Sequence, residues 1–141
     1  MPRAPGLSNE QNMSSDVEKF FEQWTADQIK MKQLAPEVLR GFGGLFQATM
    51  KEGALSVREK ELIALGIGLA VRCVPCINLH VEKGLHAGAT PEQILEAAGV
   101  AVMMQGGPSF THVPEVIRAL GHLRESDEAG GPVAAVGEST R

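Results

Sequence analysis

A chain of 141 residues with 43% hydrophobic and 21% charged side chains amounts to one ordinary globular domain, long enough to bury a core. Its formal net charge of −4 argues against nucleic acid or an anionic membrane surface as a main partner. The longest apolar run, Leu62 to Val71, falls well short of the ~20 residues that span a bilayer, so no transmembrane helix is expected.

The first residues, MPRAPGLSNEQNM, contain no apolar h-region, so no signal peptide is read and the expected compartment is the cytoplasm. Residues 1–13 are polar and rich in Pro, Gly and Asn, and are expected to be disordered. Ser14-Ser15-Asp16 then offers an N-cap to a first helix, along which Val17, Phe20, Phe21, Trp24, Gln28 and Met31 recur at helical spacing to near Leu34. Pro36 opens a second helix with an apolar face through Val38, Leu39, Phe42, Leu45, Phe46 and Met50, ending at Gly53. Gly41, Gly43 and Gly44 weaken that helix by about 1 kcal/mol each, which close packing against another helix would explain.

Ser56-Val57-Arg58-Glu59 reads as a capping box and fixes the start of a third helix just before Glu61. Beyond Leu62 this helix is apolar on every side, which predicts that part of it lies at a subunit interface. A fourth helix carries Cys76 and His80 and ends between Gly84 and Gly88. Thr90-Pro91-Glu92-Gln93 is a second capping box with proline in the first turn, opening a fifth helix through Ile94, Leu95, Ala98, Val102 and Met103. Gly106-Gly107-Pro108 stops it, and a sixth helix runs from Ser109 to about Leu123, bent near Pro114. Residues 125–141, ESDEAGGPVAAVGESTR, read as a mobile tail. The expectation is an all-α fold of about six helices over residues 14–124, with no strand-period segment and no solenoid repeat.

The chemistry concentrates in ELIALGIGLAVRCVPCINLH, where Glu61, Cys73, Cys76 and His80 are separated by eleven, two and three residues. On one continuous helix Glu61 and His80 would lie roughly 28 Å apart, so they can act together only if the chain turns between them. Arg72-Cys73-Val74-Pro75 is the natural place, because proline suits the first turn of a helix and disfavours helical geometry in the residue before it. A break between Val71 and Val74 puts Cys73 at the edge of a new helix and Cys76 in its first turn. His80 then follows four residues later on the same face.

A helix N-terminus favours thiolate, and a histidine one turn away can take or return a proton. The residues then read as a thiol–disulfide site, with Cys76 the activated thiol and Cys73 its disulfide partner. His80 is the proton shuttle and Glu61 the group that orients and charges the imidazole. Other readings stay open at this point. The four residues could ligate zinc, although a structural zinc site usually draws on a second knuckle and the chain has only these two cysteines. A thioredoxin-like protein would need strands around CVPC, where both flanks are helical. The cysteines could also be mere core filling beside a buried histidine. His86, His112 and His122 read as surface or helix-end residues, and Met103 and Met104 as core or interface filler.

The pattern E-x11-C-x2-C-x3-H, continuing through EKGLHAGATPEQILEAAGVAVMMQGGP, resembles the alkylhydroperoxidase D branch of the carboxymuconolactone decarboxylase superfamily from about Ala35 to Leu123. The resemblance implies a helical bundle and a dithiol peroxidase or disulfide reductase, an antioxidant oxidoreductase with catalytic Glu61, Cys73, Cys76 and His80. It implies no cofactor or metal. A small hydroperoxide is the implied substrate, with a dithiol reductant or redox partner protein of lipoylated or thioredoxin type, in a homo-trimer or homo-hexamer. One departure is local: members of that branch often carry His or Tyr before the second cysteine, where this chain has Pro75, so that side chain has no relay role here. Two alternatives accompany the resemblance. One is a lactone decarboxylase, whose branch is understood to lack the cysteine pair; the other is a non-catalytic, redox-sensing oligomer.

Overall fold

The computed structural model describes residues 8–130, and the ends 1–7 and 131–141, which include most of the expected disordered N-terminus and mobile tail, lie outside them. The described chain is all-helical: α1 (Ser8–Leu34), α2 (Pro36–Met50), α3 (Val57–Ala70), α4 (Val74–His86), α5 (Pro91–Gln105), the single turn α6 (Gly107–Phe110) and α7 (Val113–Glu128). No described helix is long and apolar enough to cross a membrane.

Three boundaries differ from expectation. Helix α1 begins at Ser8, ahead of the Ser14-Ser15-Asp16 cap, so residues 8–13 are helical. Ser and Asp permit a helix start without enforcing one, and the preceding Glu10-Gln11 carry good helix propensity. The segment after Gly106 is two helices, because Pro114 begins α7 in its first turn instead of bending a longer helix. Helix α7 also runs to Glu128, through residues 125–128 of the expected tail.

Helix α3 sits at the centre, packed on α4 and α5; α4 packs on α7, and α7 on α1. The core forms where their apolar stripes meet. Leu65 and Leu69 on α3, Ile77 and Val81 on α4, each pair four residues apart, are fully buried with Ile94 and Val116. Each such side chain contributes roughly 1.5–3 kcal/mol by leaving water, so the site's two helices are anchored by the core itself.

Helix α2 is peripheral. None of its residues is buried, and Val38, Phe42 and Leu45 face outward. A Cβ added at Gly41, Gly43 or Gly44 would meet nothing within 4 Å, so no packing within the single chain requires these glycines. Met103 and Met104 are also exposed and are not core.

Candidate functional site: a dithiol beside a Glu–His pair

The start of α3 is fixed by a complete capping box. Ser56 Oγ accepts from the Glu59 amide at 3.1 Å, and the Glu59 carboxylate accepts from the Ser56 amide at 2.7 Å. Hydrogen bonding to the carboxylate, first from the Ser56 amide and then from the Ser56 hydroxyl, holds the Glu59 carboxyl below the usual range. Two residues on, Glu61 points into the bundle.

The end of α3 is a Schellman turn. The Cys73 amide donates to Gly68 O at 2.9 Å and the Arg72 amide to Leu69 O at 3.1 Å, with Arg72 left-handed at φ 57. This is the break expected between Val71 and Val74, and it reverses the chain so that α4 runs back along α3. Gly68 makes the approach close: a Cβ built there would lie 3.2 Å from Cys76 Cβ. Glycine is needed here for space, not for conformational freedom.

Cys73 is the N-cap of α4, and its Sγ accepts from the Cys76 amide at 3.2 Å. Cys73 and Cys76 are joined in a disulfide with Cα atoms 5.2 Å apart. The Cys76 amide N–H holds Cys73 Sγ at the start of α4, whose positive end would favour a thiolate at the pair once the bond is reduced. Both cysteines are half-buried, so the sulfurs are reachable while held by the core residue Ile77 beside them.

One turn further along α4, His80 Nδ1 lies 2.6 Å from Glu61 Oε2, with side-chain exposures of 18% and 4%. An ionised carboxylate only accepts, so Nδ1 carries the hydrogen and Nε2 is left to accept or deliver a proton. The structure thus pairs Glu61 with His80 and Cys73 with Cys76, with His80 one helical turn after Cys76 on α4. Among the described residues, no three or more His, Cys, Asp or Glu lie close enough together to hold a metal ion.

Three features of the site had no distinct signal in the sequence reading. Gly68 looked like one more small residue in an apolar run, and Arg72 like a turn residue without a special backbone. Glu82 carried no reading of its own in the sequence, and it is only 8% exposed on α4. Burial raises its carboxyl above the ordinary glutamate value, partly countered by His86 and Lys83. The remaining histidines lie apart from the disulfide. His86 is in the last turn of α4, His112 caps α7 with its ring 2.8 Å from Pro108 O, and His122 stacks on Phe21.

A helical bundle with a CxxC pair at a helix start, backed by a buried Glu–His contact, defines the class of protein. The chain belongs to the Carboxymuconolactone decarboxylase family, whose sequence profile matches residues 36–119. It is 35% identical over 82 residues to the Paracoccus denitrificans protein described as uncharacterized protein 4 in cox locus, covering 58% of this chain and 74% of that one. Among solved structures, it is similar to a carboxymuconolactone decarboxylase family protein from Legionella pneumophila, with 35% identity and a TM-score of 0.69. That match covers 78% of this chain and 96% of the other. It is also similar to a family protein from Thermotoga maritima for which involvement in an antioxidative response has been suggested. Here the identity is 29% and the TM-score 0.72, covering 83% and 99% of the two chains.

Proposed function

We propose that the protein is a dithiol-dependent peroxidase or disulfide reductase acting on small hydroperoxides, with Cys73, Cys76, His80 and Glu61 as its working groups. The observation that carries this reading is the 2.6 Å Glu61–His80 contact one helical turn from the Cys73–Cys76 disulfide. The antioxidative role suggested for the Thermotoga maritima relative points the same way.

In the reduced protein, Cys76 thiolate attacks one peroxide oxygen and the O–O bond breaks. The leaving alkoxide takes a proton from His80, and Cys76 becomes a sulfenic acid. Cys73 sulfur attacks that sulfur, water leaves, and the disulfide forms. One hydroperoxide and two thiols thus give one alcohol, one water and one disulfide. A dithiol donor or redox partner protein returns the two electrons. Glu61 keeps the imidazole oriented.

The reading includes self-association, which the 63% and 58% exposure of Phe42 and Ile67 on α2 and α3 supports, as the trimer or hexamer that the family resemblance implies. It is tested by a reductant screen at fixed hydroperoxide with thiol trapping. Turnover is expected with at least one dithiol donor and is expected to disappear in Cys76→Ser. Full peroxide consumption by that variant would remove Cys76 from the mechanism. No turnover with any reductant, together with a redox-dependent mass, would instead favour a non-catalytic redox-sensing oligomer.

A further inference from the structure

The turn that carries the disulfide uses a residue that the same turn elsewhere in the chain does not. Helix α4 ends with Ala89 N–H on Gly84 O at 2.9 Å and Gly88 N–H on Leu85 O at 3.0 Å, and its left-handed residue is Gly88, at φ 90. Helix α3 closes in the same way, but its left-handed residue is Arg72, and Arg72 is the one non-glycine residue with positive φ among those described. Glycine takes this conformation without a Cβ clash, whereas arginine takes it at a cost in stability.

Among the described residues, nothing recovers that cost through the side chain. Arg72 is exposed, and no described residue pairs with its guanidinium. The C-terminal carbonyls of α3 favour a nearby cation, but a Lys or Arg within the last helical turn would serve without left-handed strain. Between Glu61 and Glu82 the sequence has no other Asp, Glu, Lys or Arg, so a lone fixed positive charge is bonded directly to Cys73.

We propose that Arg72 is a specificity-determining residue: its guanidinium receives a carboxylate carried by the thiol that reduces the Cys73–Cys76 disulfide. The proposal rests on the redox reading above and adds the chemical class of the reductant. A guanidinium suits a carboxylate because its planar fork can donate two parallel hydrogen bonds. In the step itself, the incoming thiolate attacks one sulfur of the disulfide and the other sulfur leaves as thiolate and is protonated. A second thiolate then attacks the external sulfur of the mixed disulfide. Two external thiols become one external disulfide and the protein regains its dithiol.

The test measures rate constants for reduction of the oxidised full-length protein by 3-mercaptopropionate, its neutral amide and cationic cysteamine, counting free protein thiols. Wild type is compared with Arg72→Gly and Arg72→Lys, and taking variant-to-wild-type ratios cancels the intrinsic reactivity of each thiol. Glycine accepts the left-handed backbone, so Arg72→Gly is expected to fold with a melting temperature equal to or above wild type. Its rate with 3-mercaptopropionate should fall roughly fivefold, the size of one exposed charge pair, with the amide unchanged and cysteamine faster. Arg72→Lys should keep part of the preference, and added salt should narrow it in wild type. An equal loss with all three thiols would overturn the proposal, since the guanidinium would then be acting on the protein's own sulfur. Unchanged rates with all three would overturn it as well. A disulfide that none of the three reduces would remove the redox reading itself and the proposal with it.

Discussion

Glu61 Oε2 lies 2.6 Å from His80 Nδ1 although the two residues are nineteen positions apart and on different helices. The contact exists because the Schellman turn at Arg72 folds α4 back along α3. Glu61→Gln keeps the size and a hydrogen-bonding oxygen but removes the negative charge 2.6 Å from the imidazole. Without that charge to orient it, His80 is a poorer proton partner for the reactive thiol. Alkylation of the reduced protein, followed against pH, is expected to show its midpoint moved upward in Glu61→Gln and in His80→Gln. At neutral pH the alkylation rate should fall about tenfold for each 1.4 kcal/mol of thiolate stabilisation lost. If Glu61 only supports folding, the profile stays in place even where stability drops.

Gly68 and Gly66 offer a matched pair of substitutions two residues apart on α3. A Cβ at Gly68 would lie 3.2 Å from Cys76 Cβ, whereas one at Gly66 has Ala97 O as its nearest neighbour at 3.9 Å. Gly68→Ala must push the start of α4 away from α3, at an expected cost of about 1–3 kcal/mol. Gly66→Ala should be neutral or stabilising by up to about 1 kcal/mol, since alanine is the better helix former. Denaturant midpoints of the two variants decide the matter. Equal midpoints would mean that Gly68 does not set the spacing of the disulfide from α3.

Glu82 gives a pH-dependent prediction whose sign follows from the direction of its shift. Its folded carboxyl is raised by burial above the ordinary value of 4.5, so in the window from there upward the native state holds more protons than the unfolded state. Stability therefore falls as pH rises through that window. Glu82→Gln removes the titration, so the variant should gain on wild type as pH rises above 4.5 and show little difference well below it. Urea denaturation of both proteins at several pH values measures it. A gap independent of pH would mean that the side chain acts by shape alone.

Much of this architecture was legible in the sequence because local chemistry and global fold agree there. Ser56 and Glu59, then Thr90 and Gln93, announced two helix starts that the structure contains as complete capping boxes. Pro75 announced the break that separates Glu61 from His80. What stayed hidden depends on contacts between distant residues. Nothing in the run from Leu62 to Val71 says that Gly68, and not Gly66, is the one Cys76 approaches. Pro114 could bend a helix or begin one, and only the turn at Thr111 and His112 decides between them. The burial of Glu82 depends on the helices packed against α4, which its own helix does not encode.

The last prediction concerns the apolar surface that the single chain leaves uncovered. Ile63, Ile67 and Val71 recur every four residues along α3 and are all exposed, although Leu65 and Leu69 on the same helix are buried. On α2, Val38, Phe42 and Leu45 are exposed beside glycines that touch nothing. Rows of exposed apolar side chains on a helix mark candidate interaction surfaces, and glycines on an open helix face suit the close approach of another helix. A second copy of the chain supplies apolar helices of the right kind, and a stable interface needs about 800 Å² from each partner. Wild type is therefore expected to sediment as an oligomer at micromolar concentration, a trimer or hexamer being what the family resemblance implies. Ile67→Asp and Phe42→Asp, each placing a charge on a surface outside the core, should keep their helical circular dichroism and shift the mass toward monomer. Wild type sedimenting as a monomer would overturn the expectation. So would an unchanged oligomer in both variants, since neither patch would then lie at a subunit contact.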